Sequence, residues 1–261
     1  MTSALKTDGL RRRFGAFTAV DGVSLDIPPG ARHALIGPNG AGKTTLVNLL
    51  TGQLRPDAGE VMMDGARITR LPPYARVKRG LARTFQVNTL FLGLTALESV
   101  ALAVCERRGE GGAWWRPLAA RRVALDEAGA LLRLLGLDGD AFRLTRELPY
   151  GKQRLLEIAL ALATRPRVLL LDEPAAGVPS GESQQVFERI EQLPAGVTIL
   201  FIEHDMSLVF RFAQRITVLV GGRVLVEGAP ADIAADQRVR EIYLGDAEPQ
   251  AAGVGAGVDI A

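Results

Sequence analysis

The sequence predicts an α/β fold: a parallel-sheet core, with an antiparallel β layer at the N-terminal side and a helical insertion in the middle. Three observations predict it. Short alternating segments punctuated by Gly and Pro fill residues 5–36, a long helical stretch runs from about Thr95 to Ala163, and two apolar runs after it each end in acidic residues.

Each element follows from its own pattern. From Leu5 to Ile36, segments such as "SLDI" and "RHALIG" are broken by Gly15, Gly22, Pro28, Pro29 and Gly30, the punctuation of strands and turns. A helix is expected from Thr44 to Leu50, followed by "GEVMMDGARI", whose Asp64-Gly65 pair suits a hairpin turn. Within the long helical stretch, "RRGEGGAWWRP" reads as a surface loop rather than a domain linker. "RVLLLDEP" and "GVTILFIEHD" read as buried parallel strands with functional carboxyl ends, where α/β folds place ligands. "RITVLVGGRVLVEGAP" reads as a hairpin turning at Gly221-Gly222. Residues 246–261, poor in large apolar side chains, are expected to form a disordered tail.

Composition narrows the function classes. With 261 residues, 48% apolar and 23% charged, the chain reads as globular rather than disordered or fibrous. No apolar run reaches the roughly 18 residues a bilayer-crossing helix needs, and the first residues lack the pattern of a secretory signal. The single cysteine, Cys105, reads as an inert buried thiol. A net charge of +2, from 31 basic and 29 acidic residues, gives no general attraction to a polyanion, so nucleic acid is not favoured. The basic runs "RRR" at 11–13 and "RLPPYARVKRGLAR" at 70–83 lack interleaved aromatics and read as solvated faces that could meet acidic lipid headgroups.

The chemistry is concentrated in a few motifs. "GPNGAGKTT", residues Gly37, Pro38, Asn39, Gly40, Ala41, Gly42, Lys43, Thr44 and Thr45, matches the phosphate-binding pattern of Gly, four residues, Gly, Lys, then Ser or Thr. An apolar strand precedes it and a helix follows, so loop N–H groups and the helix N-terminus face an anion. Lys43 is expected at the outer phosphates, Thr44 at Mg2+ and Thr45 near the inner phosphate. "RVLLLDEP" supplies Asp172 beside the metal and Glu173 where it could orient a water. His204, at the end of "FIEHD", is expected at the terminal phosphate, whereas His33 reads as structural. Gln86 in "ARTFQ" carries an amide able to reach both metal and water, by itself a weak signal. "ELPYGKQRLLEIALAL" opens a helix with Pro, Tyr, Gly and Lys, without an ordinary cap.

Together these residues resemble the nucleotide-binding subunit of ATP-binding cassette transporters, over residues 5–245. "GPNGAGKTT" resembles the family's Walker A loop, Gln86 its Q-loop, "RVLLLDEP" its Walker B strand and His204 its switch histidine. "EPAAG", "IEHDM" and "YLG" resemble one of the two ATPases of branched-chain amino acid uptake systems. The resemblance implies a P-loop NTPase fold with a RecA-like core over 5–90 and 164–245, and a helical subdomain at about 91–163. It implies ATP and Mg2+ as cofactors, with Thr44, Gln86 and Asp172 at the metal and Lys43, Glu173, His204 and Gln86 as catalytic residues. "LPYGKQ" takes the place of the family's signature, so Tyr150, Gly151 and Lys152 would complete the nucleotide of a second ATPase subunit, a copy or a paralogue, packed head to tail.

Pro149 there removes a hydroxyl and an N–H, although proline suits a first helical turn, and Lys152 is taken to offset part of the loss with charge. Pro179 stands near the place of the family's aspartate in "AAGVPSGE". Phe14 matches the family's adenine-stacking position, with Phe17 as fallback. Membrane permease subunits are the implied partners, a substrate-binding protein an indirect one, and the cytoplasmic face of the inner membrane the implied location. "NTLFLGLTAL" offers apolar residues for a permease helix. The rivals are a phosphoryl-transfer kinase and a soluble ATPase switch acting on a non-transport partner.

Overall fold

The computed structural model describes residues 2–84, 90–112 and 117–244. β1 (Leu5–Phe14) and β2 (Phe17–Ile27) pair antiparallel, and β3 (Arg32–Ile36) leads through residues 37–42 into α1 (Lys43–Thr51). β4 (Ala58–Met63) turns into β5 (Ala66–Arg67) through Asp64 and Gly65, both at positive φ, as a tight hairpin with right-handed twist requires. α2 (Pro73–Lys78) and β6 (Leu81–Arg83) follow. The helical insertion is α3 (Ala96–Arg107), α4 (Arg122–Leu134) and α5 (Tyr150–Ala163). α3 starts where it does because Thr95 and Glu98 form a reciprocal capping box. The chain then alternates β7 (Val168–Asp172), α6 (Ser180–Glu191), β8 (Thr198–Ile202) and α7 (Met206–Phe212). It closes with the hairpin β9 (Arg215–Val220) and β10 (Arg223–Gly228), then α8 (Pro230–Ala235) and α9 (Gln237–Leu244).

Two sheets result. The antiparallel one has the order β2-β1-β4-β5, and the core sheet β10-β9-β3-β8-β7-β6 is parallel except for its hairpin edge β10. Alternation along β7 explains its unbroken apolar run. Leu169 and Leu171 pack with the helices, beside Leu156, Phe187 and Phe201, while Val168 and Leu170 face the other sheet and α1, with Leu46 and Leu50. A strand covered on both faces has no side free for polar residues. Cys105 is buried in the helical insertion. Among the described residues, no helix is long and apolar enough to cross a membrane. The loop "RRGEGGAWWRP" lies partly, and the tail at 246–261 wholly, outside the described residues.

The basic run at 70–83 departs from the solvated face expected of it. Arg76 is buried, and donates to Leu49 O at 2.8 Å, Thr69 O at 2.8 Å and Leu71 O at 3.0 Å, and also to Leu50 O. It caps the last turn of α1, where helix carbonyls lack partners and the dipole favours a cation. Burial pushes the Arg76 guanidinium down to about 10, still charged at neutral pH. Arg83 is also largely buried.

His33 is structural, as expected from its place in a strand, and it is completely buried. Its Nε2 lies 2.7 Å from Thr217 Oγ1, which donates to Glu227 Oε2 at 2.8 Å. Thr217 has spent its proton, so His33 Nε2 is the donor and Nδ1 the bare nitrogen, which has no hydrogen-bond partner. Burial, opposed by Glu227, pulls the imidazole down to about 4. Between the unfolded value of about 6.5 and about 4, the unfolded chain binds the extra proton. The contribution of His33 is therefore complete above that window and lost as pH falls through it, on the order of 3 kcal/mol. Urea melts should show wild-type stability falling more steeply from pH 7 to pH 4.5 than that of His33→Gln; parallel slopes would refute the assignment.

Candidate functional site

The site gathers where β3 and β7 end. Gly37 leaves β3 so close to β9 that a Cβ on it would stand 2.1 Å from Leu219 O, and a Cβ on Gly42 would stand 2.3 Å from Ala19 O. Gly42 also holds φ 99 as the N-cap of α1, with no side-chain cap. The first N–H groups of α1 therefore open onto the loop, the arrangement that attracts anions. Main chain ties this corner to its surroundings: Gly222 N donates to Ala41 O at 3.0 Å and Asp21 N to Gly222 O at 2.8 Å. From α9, burial pushes the Tyr243 phenol up to about 12, against a hydrogen bond with the Gly37 backbone.

Lys43 folds back over the loop, its Nζ donating to Gly37 O at 2.6 Å and Pro38 O at 3.0 Å. Burial lowers its pKa, while Glu173 and Asp172 raise it. A half-buried ammonium with only carbonyl partners gains from an incoming anion. A cavity of about 270 Å3 opens here, lined by Phe17, Ala19, Asn39, Gly40, Ala41, Gly42, Lys43, Thr44, Thr45 and Glu173. Glu173 reaches it through a left-handed backbone, φ 48, tied by its N–H to Ile202 O at 3.0 Å. Such a conformation costs a non-glycine residue on the order of 1–3 kcal/mol and is held only by its surroundings.

The structure brings together most of the expected residues, with four qualifications. Phe17, rather than Phe14, lines the cavity. The two residues are paired across the β1–β2 turn, and the Phe14 ring is covered by the Arg12 guanidinium, 4.9 Å from its centroid. Asp172, buried at the end of β7, is engaged by Arg83, whose Nη2 donates to Oδ2 at 2.6 Å. His204, 72% exposed beyond β8, does not line the cavity, and its Nδ1 is 3.9 Å from Glu203 Oε2. Gln86 lies outside the described residues.

The helix α5 opens as its odd start suggested, without a side-chain cap. Pro149 stands at the N-cap in an extended conformation, outside the first turn where it was expected, so the leading N–H groups meet no capping side chain. Gly151 is buried, and a Cβ on it would meet Glu182 Oε2 at 2.8 Å. Tyr150 packs on Gly177, and its hydroxyl accepts from Arg154 at 2.7 Å. Lys152 does not present a free charge, because its Nζ pairs with Asp140 Oδ2 at 2.5 Å. The Lys152 hydrogen bond, with Arg143 beside it, holds the Asp140 carboxyl below its usual range. Pro179 is likewise the uncapped N-cap of α6.

Glu203 escaped the sequence reading. It is 2% exposed, and it accepts from Ala175 N at 3.2 Å and His204 N at 3.3 Å, joining the end of β8 to the loop after Glu173. Burial, with Glu173 adding, raises its pKa. The available signal was its place directly after β8, one register step beyond the Asp172–Ile202 pair.

Comparisons with known proteins find relatives over most of the chain. A family model described as ABC transporter matches residues 20–176, and one described as branched-chain amino acid ATP-binding cassette transporter matches residues 223–249. The chain is 40% identical over 250 residues to the high-affinity branched-chain amino acid transport ATP-binding protein BraF of Pseudomonas aeruginosa, covering 93% of this chain and 98% of that one. Its similarity to the corresponding protein LivG of Escherichia coli is the same in identity and coverage. Among solved structures, the ADP conformation of an ATP-binding cassette of an ABC transporter superposes with a TM-score of 0.81 at 32% identity, covering 94% of this chain and 100% of that one.

Proposed function

The chain belongs to the ATP-binding subunits of ABC transporters, and we propose, going beyond that membership, how its residues bind Mg-ATP, hydrolyse it and pass the change to a permease. It is an ATPase that energises import of amino acids, the branched-chain type named for its relatives. The observation that carries the residue-level reading is the cavity in which the loop amides, Lys43 and Glu173 converge.

The loop N–H groups and Lys43 neutralise the phosphates, and Thr45 turns toward the inner one. The donors fit Mg2+, which takes one or two protein oxygens and completes its shell with phosphates and water. Here Thr44 offers a hydroxyl and Asp172 a carboxylate, with Gln86 as the third ligand by resemblance. When bound, the ion draws charge from the phosphates. Glu173 orients or deprotonates the attacking water, and His204 holds the outermost phosphate once the site closes.

Phe17 is the plate for the adenine. Phe17→Ala should weaken ATP binding by about tenfold, in line with roughly 1–3 kcal/mol per stacked base, and Phe14→Ala should leave it nearly unchanged. Titration of a fluorescent ATP analogue measures both, and the opposite ranking would restore Phe14.

The open start of α5, with Tyr150, Gly151 and Lys152, completes the nucleotide of a second subunit packed head to tail, Lys152 trading Asp140 for the phosphate. Phe91, 67% exposed, borders an apolar groove of about 440 Å3 with Val77, Leu90 and Leu160, and Leu92 beside it is 52% exposed; this is the surface for a permease helix. A substrate-binding protein meets the permease rather than this chain, which works at the cytoplasmic face of the membrane. Pulling the tagged chain from membranes tests the assembly: permease subunits and a second ATPase are expected, and RNA without membrane protein would overturn it.

A further inference from the structure

We propose that Arg83 is a built-in counter-cation for the metal-binding carboxylate, holding Asp172 in place until a nucleotide brings the divalent ion. The proposal rests on Asp172 being the metal carboxylate. Arg83 is the last residue of β6 and Asp172 the last of the neighbouring parallel strand β7. Their side chains are 10% and 4% exposed, and the bond between them is 2.6 Å. The same guanidinium donates through Nη1 to Asn48 Oδ1 at 2.7 Å and to Gln53 Oε1 at 3.3 Å. Asn48 lies one turn beyond Thr44 on the same face of α1. One planar group thus ties together the carboxylate strand, the helix carrying the metal-binding hydroxyl, and the chain leaving that helix.

Buried charges in proteins are paired or coordinate metals, and here the Arg83 guanidinium is the pair of Asp172. The subunit supplies that cation from the neighbouring strand β6. A divalent ion arriving alone then meets a resident positive charge at the carboxylate it needs. The phosphates of a bound nucleotide add the negative charge that lets both cations remain, so metal entry is conditional on nucleotide. A lysine would serve as a point charge but could not hold Asp172, Asn48 and Gln53 in one plane. Arg83 is therefore a positioning residue, acting through Asp172.

The test uses the full-length, nucleotide-free protein with Mn2+ as probe, read by electron paramagnetic resonance. Arg83→Gln is expected to bind Mn2+ about tenfold more tightly than wild type, as for removal of a close like charge. Its melting temperature should rise with added Mg2+, while the wild-type melting temperature stays put. Arg83→Lys should return Mn2+ affinity toward wild type. Equal Mn2+ affinity and Mg2+-independent melting in Arg83→Gln and wild type would overturn the proposal. If Arg83→Gln does not accumulate folded, the double variant with Asp172→Asn decides: recovery of folded protein supports the charge pairing, and continued failure overturns it. Asp172→Asn alone probes the underlying assignment. If ATP binding keeps its full Mg2+ dependence in that variant, Asp172 is not the metal carboxylate, a failure separate from that of Arg83.

Discussion

Glu173→Gln is expected to slow ATP hydrolysis by about 100-fold to 10,000-fold while ATP still binds, the scale on which a positioned general base acts. The amide keeps the size of the carboxylate and its place in the cavity lining, but it cannot take a proton from water. The strained backbone of Glu173 matters here. At φ 48, with its N–H held by Ile202, the residue has been aimed at a cost, and glutamine inherits the same aim. Binding and chemistry should therefore separate cleanly. Phosphate release and nucleotide titration, measured on the same preparation, check both halves. Native hydrolysis would remove Glu173 from its role, and lost binding would mean that it supports the loop instead.

Arg76→Ala is expected to destabilise the protein by about 3–5 kcal/mol, the range for deleting one member of a buried charged network. Four carbonyls, those of Leu49, Leu50, Thr69 and Leu71, lose the guanidinium together, Leu49 O keeping the Gly52 N–H at 3.3 Å, and a buried acceptor without a partner costs about 1–3 kcal/mol. At about 2–4 °C per kcal/mol for a chain of this size, the melting temperature should fall by about 10 °C. Arg76→Lys should recover only part of that, because an ammonium cannot span four acceptors. Since α1 carries Lys43 and Thr44 at its other end, ATP affinity should fall with stability. An unchanged melting curve would show that water replaces the guanidinium.

These two predictions also mark what the sequence could and could not disclose. Glu173, the phosphate loop, the hairpins at Asp64-Gly65 and Gly221-Gly222 and the buried strands were legible because each is a local pattern: a spacing, a turn pair or a run read within a few residues. Arg76 and Arg83 were not. Within "RLPPYARVKRGLAR" they look like the arginines beside them, and only their partners, 27 and 89 residues away in sequence, take them out of solvent. The Lys152–Asp140 pair was illegible for the same reason, its acceptor lying in the preceding turn region of the insertion. Phe14 and Phe17 are told apart by which ring Arg12 covers and which lines the cavity, which no spacing encodes. Glu203 was hidden by the more conspicuous histidine next to it.

The corner where Gly42, Ala19 and Gly222 meet is made of main chain alone. The antiparallel sheet, the β9–β10 hairpin and the nucleotide loop are consequently riveted at a point that no rotamer change can loosen. Tilting one sheet against the other must bend the loop itself, so a tightly held triphosphate works as a splint across the rivet. The amide hydrogens of Asp21 and Gly222 should then exchange with solvent more slowly in the ATP-loaded protein, reporting occupancy from a place the nucleotide never touches.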